Sequence, residues 1–83
     1  MATNPYHLYR FTHTDGSAKD WAYAALGQGQ AEIRWGPAHR LIHGQIKPLS
    51  IARQRAGQKL RKGYLALGLV WLNDHGERIH PPR

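Results

Sequence analysis

The chain has 83 residues, no cysteine and a formal charge of +7, with 41% hydrophobic and 10% aromatic residues. That length allows one small core with a net stability on the order of 5 kcal/mol and argues against a deep catalytic cleft. The missing thiols rule out disulfides and cysteine-bound zinc, the apolar content is enough to fold, and the charge points to a polyanionic partner and salt-sensitive association.

Met1-Ala2-Thr3-Asn4-Pro5 carries neither the basic nor the apolar segment of a signal peptide, so a cytoplasmic location is expected. Residues 6–12 set large side chains and β-branched Thr12 ahead of the turn pair Asp15-Gly16, the pattern of a first strand. Over 19–26, Trp21, Tyr23 and Ala25 alternate with Ala22, Ala24 and Leu26, the period of a second strand, although the alanines also allow a helix. Gly27-Gln28-Gly29-Gln30 supplies the left-handed conformations of a hairpin. It leads into a third strand, where Ala31, Ile33 and Trp35 alternate with Glu32, Arg34 and Gly36. Pro37 lacks a ladder donor and breaks that strand, and residues 41–46 offer a fourth with Gly44 at a bulge.

After Pro48, Ser50 suits the N-cap of a helix over 51–62, where Leu49, Ala52, Ala56, Leu60 and Gly63 recur at spacings of three and four to make one apolar stripe. Gly63 is expected to terminate it, with Arg61 and Lys62 at the negative end of the helix dipole. Gly57 costs about 1 kcal/mol relative to Ala inside a helix, which suggests close approach of another backbone or a ligand. Residues 65–72 are apolar in both alternating sets, as in a strand covered on both faces, and Asn73-Asp74-His75-Gly76 ends it. The prolines at 81 and 82 leave residues 79–83 frayed, as are 1–5. No apolar run approaches the roughly 20 residues that cross a bilayer, so no membrane partner is expected. Residues 1–83 are therefore expected to form a single α+β domain, a small antiparallel sheet of four to five strands packed against one helix.

Charge is unevenly placed. The five acids are Asp15, Asp20, Glu32, Asp74 and Glu77, so residues 33–73 contain none, while the same stretch holds Arg34, Arg40, Lys47, Arg53, Arg55, Lys59, Arg61 and Lys62. Such a like-charged block repels itself until a partner or counterions neutralise it. Arg55, Lys59 and Lys62 stand at i, i+4 and i+7 and form one row flanking the apolar stripe, suited to successive phosphates. Phosphate contacts of this kind release counterions without reading base sequence. Trp21, Tyr23, Trp35 and Tyr64 can stack on bases where exposed, against the alternative of core packing; Trp35, at a strand end before Gly36-Pro37, suits either role equally.

The six histidines, at 7, 13, 39, 43, 75 and 80, match no ligand spacing, so neither metal nor cofactor is expected. No convergent carboxylate pair, nucleophile elbow, phosphate-cradling loop or dinucleotide fingerprint occurs, which argues against an enzyme or a small-molecule substrate.

The strand-rich half ending in Trp35-Gly36, the helix about fifteen residues later and the closing Lys62-Gly63-Tyr64 resemble a WGR domain over residues 9–65. The resemblance implies an antiparallel sheet on one helix, and contact with nucleic acid, DNA before RNA, near strand ends or breaks. It implies the motif Trp near a terminal nucleotide and basic residues on phosphates. Trp35 and Gly36 match the motif; Pro37 stands where the family has arginine. The expected site is thus Arg34, Trp35, Gly36, Arg40, Lys47, Arg53, Arg55, Lys59, Arg61 and Lys62. The competing expectation is a protein-interaction or homodimerising accessory module that docks on an acidic partner, or pairs through an exposed strand or its tryptophans.

Overall fold

The computed structural model describes residues 5–81. In chain order they form β1 (Tyr6–Thr12), β2 (Ala18–Gly27), β3 (Gln30–Pro37), β4 (His43–Pro48), α1 (Leu49–Arg61), β5 (Leu65–Leu72) and the short β6 (Arg78–Ile79). The strands make one sheet in the order β4-β3-β2-β1-β5-β6, every neighbouring pair antiparallel. This is the expected α+β arrangement of an antiparallel sheet on one helix.

Period-two alternation in β2 and β3 sorts side chains onto two faces, and each face has its own core. On the helix side, Trp21, Tyr23, Ala31 and Ile33 pack with Ala52 and Ala56 of α1 and with Tyr64. The small helix alanines let the backbone of α1 settle close to the aromatic floor. On the other side, Tyr6, Leu8, Val70 and Leu72 surround Ala22 and Ala24, and Leu41 drops into the space those alanines leave. Burial of this second core needs a polar tether: Arg34 donates from Nε and Nη2 to the Leu41 carbonyl at 3.1 and 2.8 Å, and Gly76 accepts from the Leu41 amide at 3.1 Å. The Tyr6 hydroxyl donates to Glu32, whose carboxylate also lies 3.9 Å from Arg34. Burial and the hydrogen bond to Glu32 push the Tyr6 phenol far above its ordinary range.

The β2–β3 hairpin forms as its glycines suggest: Gln28 and Gly29 both have positive φ, at 55° and 75°, which are the signs of a type I′ turn. The same turn caps the helix, since the Leu49 amide donates to the Gly29 carbonyl at 2.8 Å. The expected N-cap is therefore displaced: Pro48 holds the cap position without a side-chain bond, and Ser50 lies in the first turn. At the other end Gly63, at φ 103°, closes a Schellman motif in which the Tyr64 amide donates to Lys59 and the Gly63 amide to Leu60.

Other expectations need correction. The fourth strand starts at His43, because Leu41 is used as a core plug. Its ladder with β3 runs through Gly44 without a shift; bulges fall instead in β2 near Leu26 and in β5 near Leu67. Leu60 is exposed, and a Cβ on Gly57 would meet only the Arg61 guanidinium, at 3.8 Å, so no other backbone among the described residues presses on that glycine. Ile79, expected to fray, pairs with Trp71. The rest of the tail and residues 1–5 belong to the same expectation, of which 1–4 and 82–83 lie outside the described residues. β5 is not covered on both faces as expected: Val70 and Leu72 are buried on the Leu41 side and Trp71 is half-buried on the other, whereas Leu65, Leu67 and Leu69 are exposed.

Candidate nucleic-acid interface

Alternation fixes which side chains can meet α1. Trp35 lies opposite Trp21 in β2 and His43 in β4, so all three project toward the helix. Between these strands and the helix runs an open cleft of about 310 Å³, floored by Trp21, Trp35 and Gln45 and walled by Arg55, Gln58, Lys59 and Lys62. It continues into a second hollow of about 370 Å³ lined by Lys19, Trp35, His43, Lys59 and Tyr64. Trp21, Trp35 and Lys59 belong to both.

The helix terminator orients the central lysine. Lys59 and Tyr64 occupy the two positions whose side chains touch in a Schellman motif, and here the contact is a cation over a ring. Lys59 Nζ stands 5.0 Å from the Tyr64 centroid and 5.9 Å from that of Trp21. Lys19 reaches the same aromatic group from β2, 5.6 Å from Phe11 and 5.9 Å from Tyr64. Burial holds the Lys59 ammonium below the usual lysine range, and the charges of Lys62, Lys19 and Arg55 add to the effect. Arg55, Lys59 and Lys62 pair with no carboxylate among the described residues. An anion entering the cleft would relieve that mutual repulsion.

Trp35 is half-buried, its ring stacked on His43 with centroids 5.7 Å apart and planes 28° apart. The glycine after it has a steric cause: a Cβ on Gly36 would lie 2.1 Å from the Arg40 carbonyl, because the 37–42 loop folds back against the strand. Asp20 holds that loop by accepting from the His39 amide at 3.0 Å, while its carboxylate is bound by Arg10 Nε at 2.7 Å and Nη2 at 3.0 Å. The one acid bordering the cleft is thus already neutralised.

The structure brings Trp35, Gly36, Arg55, Lys59 and Lys62 together. No family model, curated protein or solved structure matches the chain. Lys47 shares the helix-facing side of β4 but lies beyond the cleft lining, opposite Ala31. Arg53 and Arg61 are exposed on a different row of α1, one turn either side of Gly57. Arg40 opens onto a separate hollow with Asp74, His75 and Glu77. Arg34 corrects the expectation outright: it is buried on the opposite face, tied to Leu41, and cannot reach a phosphate in the cleft. Lys19, His43, Gln45 and Gln58 were missed. For Lys19 the signal was present, since it alternates in phase with Trp21 and Tyr23; for His43 and Gln45 it required the β3–β4 register. No three potential metal ligands gather among the described residues, and no helix there is long and apolar enough to cross a membrane.

Proposed function

We propose that this chain is a non-catalytic, WGR-like nucleic-acid-binding module that works in the cytoplasm and takes one strand, DNA in preference to RNA, along the α1 cleft. The observation that carries the reading is the convergence of Lys19, Arg55, Lys59 and Lys62 beside half-buried Trp35 and the buried edge of Trp21, with the one bordering acid, Asp20, already bound by Arg10. Phosphates would supply the missing negative charge, and an aromatic face offers any base a stacking surface. From Arg55 to Lys62 the helix rises about 10 Å, the axial length of about three successive charges of one strand. Trp35, which lines both hollows with Lys59 and is only half-buried, would receive the base of a terminal or unpaired nucleotide. The resemblance of Trp35-Gly36, the helix and Gly63-Tyr64 to the WGR pattern supports the same assignment and the preference for DNA ends or breaks. Pro37, in the arginine position, sits exposed at the end of β3 and contributes no charge.

The test is an anisotropy titration of blunt, nicked and single-stranded DNA and matching RNA probes at two salt concentrations, with Trp35→Ala beside the parent. Trp35→Ala should weaken nicked and single-stranded probes by about 1 to 3 kcal/mol and blunt duplex by less. Weak retention indifferent to probe structure, and unchanged by Trp35→Ala, would instead favour a protein-binding role.

A further inference from the structure

The outer edge of β5 is open. Residues 65–70 pair with β1 on one side, and β6 covers only Trp71 and Leu72 on the other, so no strand among the described residues pairs with the outer edge of 65–70. The tail cannot extend β6 along it by regular pairing, because Pro81 has no amide hydrogen. Leu65, Leu67 and Leu69 on this edge are 67%, 45% and 57% exposed, and Ile79 beside them 45%. The bulge sends the leucines to both faces: Leu65 lies opposite Arg10, on the side of Leu41, and Leu69 opposite His7, on the side of the helix. A sequence apolar in both alternating sets belongs to a covered strand, and the described residues of one chain leave it bare.

We infer that a second copy of this chain covers the 65–70 edge, the two β5 strands pairing antiparallel about a two-fold axis. Charge favours this occupant. The chain carries +7, yet residues 65–72 contain no ionisable side chain; of the arginines on the flanking strands, Arg10 on β1 is bound by Asp20 and Arg78 on β6 lies opposite Leu72, past the free edge. The basic cleft lies over β2, β3 and β4, toward the opposite end of the sheet, so a two-fold at β5 keeps the two positive regions apart. Shape favours it as well. A two-fold register sets Leu65 of one copy opposite Val70 of the other and Ala66 opposite Leu69, with the bulged Leu67 of each copy beside Gly68 of the other. Gly68 has nothing within 4 Å of where its Cβ would be, which leaves room for the incoming Leu67. The other edge is guarded by contrast: β4 carries Lys47, ends in Pro48 and turns directly into α1.

So short a pairing is a small interface, and the dimer should form weakly and reversibly. Sedimentation equilibrium of the full chain, from roughly 1 to roughly 500 µM, should show mass rising from one to two chains. The dimer should tighten as salt screens the net charge, the opposite sign to nucleic-acid binding. Leu67→Lys and Leu69→Lys, both at exposed positions, should raise the dissociation constant at least about tenfold while the far-ultraviolet dichroism stays unchanged. Ile46→Lys on the β4 edge should leave it unaltered. A parent chain that remains a monomer throughout, or a dimer disrupted by Ile46→Lys and not by the β5 variants, would overturn the inference. These outcomes do not depend on whether the cleft binds nucleic acid.

Discussion

At one end of the sheet, β3 and β4 sit under α1 and every approach is specified by a particular contact. Gly36 admits the returning loop, Asp20 ties that loop to Arg10, and a Schellman turn sets Lys59 over Tyr64. At the other end, β5 has an apolar edge, a bulge and a glycine facing empty space. The first region accumulates cations around rings; in the second, residues 65–72 carry no ionisable side chain. The contrast teaches that the net charge of the chain is not spread as a solvating coat. It is concentrated where an anion can enter and withheld where an apolar surface can be covered.

Glycine replacement probes the contrast most strongly. Gly36→Ala drives a methyl into the Arg40 carbonyl and should cost about 3 kcal/mol or more, measured by urea unfolding. Gly68→Ala meets no atoms and should cost only the left-handed backbone penalty, about 1 to 2 kcal/mol. Equal losses would remove the distinction between a packed end and an open one.

Arg34→Ala separates structural from ligand-binding charge. It frees the Leu41 carbonyl inside the second core and should lower stability by about 2 to 3 kcal/mol, with the salt dependence of binding unchanged. A flattened salt dependence would return Arg34 to the interface.

The smallest effect comes from Lys59. Its folded pKa lies below the unfolded value of 10.5, so between the two the unfolded chain binds more protons and stability rises with pH. Anion binding needs the charged form and should fall across the same window. Urea midpoints from about pH 8 upward should show that rise in the parent chain and a smaller one in Lys59→Met. The same rise in both would place the charge strain elsewhere.

Much of this was legible before the structure. The periodicities of β2 and β3, the hairpin glycines, the Gly63 terminator and the Arg55–Lys59–Lys62 row follow from short-range rules, and all appear as read. Arg34 departs from its expected place for a reason alternation alone carries: neighbours on a strand face opposite ways, so Arg34 and Trp35 cannot share one cleft. Leu41 as a core plug, and the stacking of His43 on Trp35, depend on a loop path and a strand register that no local pattern encodes. The bare flank of β5 is a different case. Its sequence calls for cover on both faces, and the described residues of one copy bury only Val70 and Leu72, both on the Leu41 side.

The most direct test of the cleft compares log K against log[salt] for a single-stranded probe bound to the parent chain, to the triple variant Arg55→Ala, Lys59→Ala, Lys62→Ala, and to Leu69→Lys. The triple variant should flatten the slope by about 2 to 3, whereas Leu69→Lys, which adds a charge at the far edge, should leave it unchanged. An unchanged slope in the triple variant would contradict the assignment of the α1 cleft as the phosphate-binding surface.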